Sequence, residues 1–318
     1  MVVYDDAEGL DITGPLDVFA TANQLVRDHG NAGPLYRLEI AAAQKDAAVT
    51  TSSGIRLLAD ASWRDSAGMD TLLVAGGRGA LQVPQELVEW LRRSAPGMRR
   101  VGSICTGAFI LARAGLLDGR RAATHWCRAE QLRRSYPQID VEEDAIYVKD
   151  GAVYTSAGVT AGIDLALALL EEDHGLELAL QVARDMVLYV KRPGGQSQLS
   201  TRLIAQFREG GVLAPTVRWI RDNYRDDLTN EALAAHAAMS LRNFARVFRR
   251  ETGTTPARFI ERTRLEAVVR LLEETGQALK SISQECGFQS GEHFRLAFTR
   301  RFGITPGQYR ERFRGRRD

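Results

Sequence analysis

Cysteine is scarce in this sequence, which contains three Cys residues among its 318. Cys105, Cys127 and Cys286 are odd in number and far apart, and they lack the close spacing of metal ligands. A disulfide framework uses an even set of cysteines, and a zinc site uses closely spaced pairs. The sequence therefore predicts free thiols and no metal site, and we expect no cofactor.

Long apolar runs are also missing. No stretch reaches the length of about 18 hydrophobic residues that a membrane-spanning helix needs. Residues 1–20 are acidic where a secretion signal would be basic and then apolar, with Asp5, Asp6, Glu8, Asp11 and Asp17. We therefore expect a cytoplasmic protein with no membrane partner.

The charge is nearly balanced over the whole chain, with a formal net charge of +2, but it is unevenly distributed. Residues 213–318 contain 20 Lys and Arg residues against 13 Asp and Glu residues, a net charge of +7, whereas residues 1–212 have a net charge of −5. Such segregation is typical of a chain whose basic part binds a polyanion. The C-terminal third is therefore the candidate for binding nucleic acid.

A length of 318 residues exceeds what one hydrophobic core usually supports, so two domains are expected. The first two-thirds alternates short apolar runs with helical patterns, which predicts βαβ units. The predicted strands are Val2–Tyr4, Tyr36–Ala43, Thr71–Ala75 and Arg100–Ile104, with an edge hairpin of Ala145–Lys149 and Ala152–Thr155 around Asp150-Gly151; the predicted helices are Leu16–Arg27, Pro84–Ser94, Ala108–Ala114, Val159–Glu172 and Glu177–Val190. The expected fold is α/β and flavodoxin-like, with a mostly parallel sheet and helices on both faces. Because the first strand is unusually short for a central strand, we expect that a few residues are missing from the start.

The pattern changes near residue 191. Pro, Gly and small polar residues are dense over residues 191–198, which predicts a linker. From Thr216 onward only short helical patterns follow, punctuated by Gly and Pro. The expected organisation is an α/β domain at residues 1–191, a linker at 192–212 and an all-helical domain at 213–318.

The helical part repeats itself at a spacing of 50 residues. Seven identities share this register: Ser240, Phe244, Phe248, Arg250, Gly253, Thr255 and Pro256 recur as Ser290, Phe294, Phe298, Arg300, Gly303, Thr305 and Pro306. A Ser at the start, Phe residues four apart and a Gly at the end predict one capped amphipathic helix in each repeat. A shorter helix precedes each one, at Asn230–Ala237 and Lys280–Glu285. The sequence therefore predicts two helix-turn-helix units.

The second helix of such a unit presents its outward N-terminal side chains to the major groove of DNA. Arg can pair with guanine, Asn with adenine and Glu with cytosine, whereas cations farther along the helix suit phosphates. The candidate base-reading residues are Arg242, Asn243, Arg246, Glu292, His293 and Arg295, and the candidate phosphate contacts are Arg249, Arg250, Arg300 and Arg301. The expected partner is double-stranded promoter DNA.

The second repeat carries a more specific signature. Its residues Ile282-Ser283-Gln284-Glu285-Cys286-Gly287-Phe288, then Phe294, Phe298, Arg301-Phe302-Gly303, Thr305-Pro306 and Tyr309-Arg310, resemble the AraC/XylS family. The resemblance covers about residues 215–314. It implies two helix-turn-helix units joined by a long helix, here about Pro256–Leu272, with recognition helices in successive major-groove segments. Leu296 departs from the pattern, because relatives often have Arg there.

A second constellation lies in the α/β part. The segment Gly102-Ser103-Ile104-Cys105-Thr106-Gly107-Ala108 is where a predicted strand runs into a helix. A nucleophile at such a turn projects from the sheet above helix N-terminal amides, which can stabilise a thiolate. The candidate pocket residues are Cys105 and Thr106 at this turn, His125 as a base, Asp17 as an acid and Gly76-Gly77 as backbone facing a ligand.

These elements resemble the class I glutamine amidotransferase-like, or PfpI-like, superfamily over about residues 1–190, and they are most similar to the branch fused to AraC-type DNA-binding domains. The resemblance to that branch implies a transcription activator that senses a small-molecule effector without turnover, dimerises through its N-terminal domain and works with RNA polymerase. Asp17 stands where relatives have Glu. Two alternatives stay open: a thiol-dependent amidase or hydratase tethered to DNA, and a redox sensor in which Cys105 is oxidised.

Overall fold

The computed structural model describes residues 1–30, 33–65, 68–188, 192, 194–195, 198 and 212–313. The chain divides into two compact units, Met1–Gln198 and Leu199–Asp318. The first unit is α/β and the second is helical. Among the described residues, no helix is long and apolar enough to cross a membrane.

A seven-stranded sheet forms the centre of the first unit. The strands in chain order are β1 (Val2–Val3), β2 (Ala41–Ala42), β3 (Ala48–Thr50), β4 (Arg56–Leu58), β5 (Ala61–Ser62), β6 (Thr71–Val74), β7 (Arg100–Ile104), β8 (Arg121–Ala122), β9 (Asp140–Val141), β10 (Tyr147–Asp150) and β11 (Val153–Ser156). The order across the sheet is β10-β11-β7-β6-β1-β2-β5, and each neighbouring pair is parallel except β10 with β11. Two small sheets, β3 with β4 and β8 with β9, complete the strands. The expected mostly parallel sheet is confirmed.

Helices flank this sheet. They are α1 (Gly9–Asp28), α2 (Gln85–Ser94), α3 (Gly107–Arg113), α4 (Ala129–Ser135), α5 (Thr160–His174) and α6 (Leu176–Asp185), with 3₁₀ turns at Arg78–Gln82, Ala95–Gly97 and Trp126–Arg128. Strand β7 is buried along its whole length, as a central strand covered on both faces should be. Strand and helix residues such as Leu72, Ile104 and Leu165 form one continuous core.

Several predicted boundaries were wrong. Helix α6 ends at Asp185, short of its predicted end, and two other boundaries differ for identifiable reasons. Helix α1 begins at Gly9 rather than Leu16 and contains Gly14 and Pro15. A Cβ on Gly14 would come within 2.9 Å of Ile163 Cγ1, so close packing on α5 requires this glycine and holds the segment helical. The predicted strand Tyr36–Ala43 shortens to β2, because the backbone amide and carbonyl of Tyr36 bond to the side chain of Asn23 at 2.9 and 2.7 Å.

The predicted edge hairpin is present as β10 and β11, where Gly151 adopts a φ of +62° in the connecting turn. Beyond α6, Val190, Lys191 and most of the predicted linker lie outside the described residues. Two of the linker residues that are described bond to the first unit. Arg192 pairs with Asp164 at 2.6 Å, and Gln198 Nε2 donates to Thr124 O at 2.9 Å.

The second unit contains α7 (Ala214–Asp222), α8 (Asn230–His236), α9 (Leu241–Thr252), α10 (Pro256–Glu274), α11 (Leu279–Glu285), α12 (Gly291–Phe302) and α13 (Pro306–Phe313). It has two separate apolar cores, one around Phe244 and Phe248 and one around Phe294 and Phe298. Helix α10 contributes Phe259 to the first core and residues from Leu265 onward to the second. The two predicted helix-turn-helix units are therefore confirmed, with α10 as the helix that joins them.

Candidate ligand pocket and nucleic-acid interface

Cys105 lies at the sharp turn between β7 and α3. Its φ is +55°, a left-handed conformation that a non-glycine residue adopts only under constraint. The amide of Cys105 donates to Ser156 O at 2.9 Å, which fixes the turn against β11. A Cβ on Gly158 would lie 2.2 Å from Cys105 Cβ, and one on Gly76 would lie 2.4 Å from the same atom. Both glycines are therefore required to let the backbone approach this cysteine closely.

Asp11 lies beside this turn, in the first turn of α1, and is fully buried. Its Oδ1 accepts a hydrogen bond from Val159 N at 2.5 Å. Its Oδ2 lies against Gly76, where a Cβ would come within 2.5 Å of it, and the Gly76 amide and the Cys105 thiol both interact with the carboxylate. Burial, helped by the nearby Glu8 carboxylate, raises the pKa of Asp11 to about 7, although the hydrogen bond from Val159 acts in the opposite direction. Burial also raises the pKa of the Cys105 thiol well above its usual range, with the Asp11 charge as the next cause.

The structure corrects the choice of Asp17 as the acid of the pocket. Asp17 is exposed on α1 and does not line the cavity, whereas Asp11 packs against the cysteine turn. The physical reason is the early start of α1 at Gly9, because the first turn of the helix, and not its middle, meets the turn after β7. The predicted helix Leu16–Arg27 included Asp17 and left Asp11 outside it, so only the observed start at Gly9 places Asp11 on the helix.

A cavity of about 440 Å³ opens above Cys105. Its lining residues are Glu8, Ser52, Ser53, Gly77, Arg78, Cys105, Thr106, His125, Cys127, Arg128 and Val159. Four of the candidates from the sequence are among them, and Gly76 packs beneath the cavity against Cys105. The Gly77 amide, expected to face a ligand, instead donates to Thr106 Oγ1 at 2.8 Å.

The residues that sequence reasoning missed come from loops distant along the chain. Ser52 and Ser53 lie in the turn between β3 and β4, and Ser52 Oγ donates to Glu8 Oε2 at 2.9 Å. Arg78 begins a 3₁₀ turn, and Arg128 ends another. None of them belongs to a local motif, and only the fold brings them together. Among the described residues, no group of three or more His, Cys, Asp or Glu side chains could hold a metal ion.

His125 lines the cavity and is half-buried. Its Nδ1 lies 3.0 Å from Cys127 Sγ. Burial lowers the pKa of His125, and the positive charge of Arg128 lowers it further. Thr124, next to His125, donates its hydroxyl to Cys105 O at 2.8 Å, so the histidine segment is tied directly to the cysteine turn.

The two predicted recognition helices, α9 and α12, are built alike in the second unit. Ser240 Oγ accepts from Asn243 N at 3.4 Å, and Ser290 Oγ accepts from His293 N at 3.0 Å. Each helix ends at a glycine in the left-handed region, with φ of +75° at Gly253 and +73° at Gly303. These are the N-terminal and C-terminal caps that the repeat predicted.

The outward faces of these helices carry the candidate DNA contacts. Two of the candidates, Asn243 and Arg301, are half-buried, and the others are exposed: Arg242, Arg246, Arg249, Arg250, Glu292, His293, Arg295 and Arg300. Arg246 donates to Asn243 Oδ1 at 2.9 Å, which orients both side chains on one face of α9. The arrangement presents two cationic surfaces, each on a helix whose opposite face is apolar core.

One contact on the second surface had no signal in the sequence. Glu261, on α10, pairs with Arg300 at 2.6 Å and lies 3.5 Å from His293 Nε2. Two predicted DNA contacts of α12 are therefore held by one carboxylate of the same unit. At the 50-residue spacing Glu261 corresponds to Glu311, but only the fold shows that the Glu261 carboxylate reaches Arg300 and His293.

Comparison with known proteins agrees with both halves of this description. Residues 1–172 match the DJ-1/PfpI family, and residues 233–312 match the family described as a helix-turn-helix domain. The chain is 35% identical to the HTH-type transcriptional regulator CdhR of Pseudomonas aeruginosa over 280 residues, which cover 87% of this chain and 82% of that protein.

Two further proteins match a smaller share of the chain. The isonitrile hydratase of Pseudomonas putida is 33% identical over 195 residues, which cover 60% of this chain and 78% of that enzyme. The crystal structure of an AraC family transcriptional regulator from Pseudomonas putida superposes with a TM-score of 0.51 at 26% identity, over 58% of this chain and 96% of that one. The chain therefore belongs to the DJ-1/PfpI family and carries a C-terminal helix-turn-helix domain of the AraC type.

Proposed function

We propose that this protein is a transcription regulator that binds promoter DNA through α9 and α12 and senses a small molecule in the cavity above Cys105 without turning it over. The observation that carries the proposal is the pair of capped helices with exposed cations on their outward faces. Such helices fit successive major-groove segments when two units are joined rigidly. The regulator CdhR, similar over most of the chain, supports the same assignment.

The cavity suits a small polar effector. Its volume of about 440 Å³ falls in the range of small-molecule sites, and its lining mixes hydroxyls, an imidazole and both signs of charge.

The state of the cysteine supports the proposed absence of turnover. A nucleophilic cysteine reacts as the thiolate, whereas burial and the neighbouring Asp11 raise the pKa of the Cys105 thiol. The second candidate function is hydration of an isonitrile, which the similarity to isonitrile hydratase favours. Conversion of an isonitrile by the parent protein, lost in Cys105→Ser, would favour that enzyme function over the sensor.

The DNA-binding proposal is tested with Arg246→Ala and the matched variant Arg250→Ala on the same helix. Arg246, in the N-terminal half of α9, is expected to read a base, so its loss should weaken binding to the cognate site by about 1–3 kcal/mol more than binding to random DNA. Arg250 is expected to contact phosphate, so its loss should weaken both by about the same amount.

Binding is measured by fluorescence anisotropy with the full chain at several salt concentrations. The parent's affinity should fall steeply as salt rises, because phosphate contacts release counterions. If Arg246→Ala lost the same binding free energy on cognate and on random DNA, Arg246 would not be a base-reading residue. No salt-sensitive binding to the protein's own promoter region would overturn the regulator assignment.

We infer further that the regulator acts in the cytoplasm as a homodimer and contacts RNA polymerase as an activator. The support is the resemblance to the AraC/XylS family and to its branch with a PfpI-like domain. A symmetric dimer would present recognition helices to two half-sites, as is common among helix-turn-helix proteins.

A further inference from the structure

The cavity holds a second thiol that the proposed function does not use. Cys127 lines the cavity and is exposed, whereas Cys105 and Cys286 are buried. Burial raises the pKa of the Cys286 thiol to about 11, and it raises the pKa of the Cys105 thiol as well. Exposure and a basic partner are what make a cysteine reactive. Of the three thiols, Cys127 alone has both.

The hydrogen bond between Cys127 and His125 has a defined direction. The backbone amide of Cys127 donates to His125 Nδ1 at 3.4 Å, so Nδ1 carries a lone pair. In the tautomer with this lone pair, the thiol, 3.0 Å from the same nitrogen, is the donor. Burial lowers the pKa of His125, which favours the neutral imidazole, the form that can accept a proton.

Contacts from outside the segment fix this pair. Trp126 N donates to Gln198 Oε1 at 2.8 Å, and Gln198 Nε2 donates to Thr124 O at 2.9 Å. The carbonyl of His125 accepts from Arg128 N at 2.8 Å. The backbone on both sides of His125 is thereby held, so the imidazole and the thiol meet without a large loss of conformational entropy.

Charged side chains of both signs line the cavity around the pair. Arg78 and Arg128 line the same cavity, and Glu8 is the carboxylate among the lining residues. Glu8 accepts a hydrogen bond from Ser52, which disperses part of its charge. Asp11 lies deeper, beside Cys105, and its pKa of about 7 leaves it partly protonated at neutral pH. The charged lining of the cavity that holds the pair therefore consists of two guanidinium groups and one carboxylate.

We propose that Cys127 is a covalent capture site for α,β-unsaturated carbonyl compounds, with His125 as its base. His125 Nδ1 takes the thiol proton, and the thiolate adds to the β-carbon of the ligand. The C–S bond forms as the C=C π bond breaks, and its electron pair moves to the α-carbon and the carbonyl oxygen as an enolate. The proton on His125 then returns to the α-carbon, so the addition is complete without an oxidant or a second reactant.

The test is labelling of the full chain with N-ethylmaleimide, an α,β-unsaturated carbonyl compound, followed by peptide mass spectrometry. Under native conditions at pH 7, Cys127 should react about tenfold or more faster than Cys105 and Cys286. Faster reaction at Cys105 or Cys286 would overturn the proposal. This order of labelling is measured in the unaltered protein, so it does not depend on any variant folding.

The role of His125 is tested by His125→Gln, with His29→Gln at an exposed helix end as the matched control. The rate at Cys127 should fall several-fold at pH 7 in His125→Gln and should approach the parent's rate above about pH 9, where an ordinary thiol ionises by itself. The control should label like the parent. If the labelling rate of Cys127 were unchanged in His125→Gln, His125 would not be the base of this site.

The Cys127 capture site shares the cavity of the proposed effector, but its reactivity does not depend on the proposed regulator function. Labelling is followed without DNA, so a failure to bind promoter DNA would leave the capture site intact. Conversely, if Cys127 reacts no faster than the buried thiols, the capture site is refuted while the regulator assignment stands.

Discussion

Replacement of Asp11 by Asn tests whether burial holds this carboxyl group protonated. In the folded chain its pKa is about 7, against an ordinary value of 3.8. One pKa unit corresponds to about 1.4 kcal/mol, so this difference corresponds to about 4 kcal/mol of folding free energy. Between those two pH values the folded chain keeps a proton that the unfolded chain has released. The contribution of Asp11 to stability is therefore full below about pH 4 and is lost as the pH rises through 7.

Asn at this position does not ionise and retains an oxygen for the amide of Val159. The free energy of unfolding of Asp11→Asn, relative to the parent, should therefore rise by about 4 kcal/mol from pH 4 to pH 8. Urea unfolding of the full chain at several pH values measures this change in the transition of the first unit. The matched control is Asp17→Asn, because Asp17 is exposed on the same helix.

The control should differ from the parent by a nearly constant amount across this range. A difference for Asp11→Asn that is the same at pH 4 and pH 8 would refute the argument, because it would mean that Asp11 titrates alike in the folded and unfolded chains. A pH-dependent gain in both variants would assign the effect to the charge of the helix and not to burial.

Two further substitutions follow from close contacts. Gly158→Ala should lower the free energy of unfolding of the first unit by about 2–5 kcal/mol, because the new Cβ would clash with Cys105 and φ is +93°. Gly253→Ala, at a φ of +75° with open space around it, should lower the free energy of unfolding by only about 1–2 kcal/mol. Equal shifts in the urea midpoint for the two variants would contradict the predicted clash. Glu261→Gln should release Arg300 for phosphate contact, so binding to random DNA should tighten and its dependence on salt should steepen by up to about one counterion. Weaker binding of that variant in anisotropy would show instead that Glu261 orients Arg300 productively.

The fold class and the duplicated helices could be predicted from the sequence because their causes are local. Strand β7 has the predicted bounds, since a short, fully buried run between polar residues is typical of a central parallel strand. The caps at Ser240 and Gly253 involve atoms within a few residues of each other, so the repeat was enough to predict both ends of α9. The turn at Cys105 could also be predicted, because a strand that runs into a helix through Thr and Gly is itself a local sequence signal.

The partners of these elements were decided by the tertiary structure alone. Asp11 meets Val159, 148 residues away along the chain, and no spacing in the sequence distinguishes it from Asp17. The pairing of Glu261 with Arg300 spans 39 residues across two helices. Such contacts depend on where a helix begins and how closely two backbones approach. The sequence by itself determined which elements form, and packing at Gly14, Gly76 and Gly158 determined which side chains they bring together.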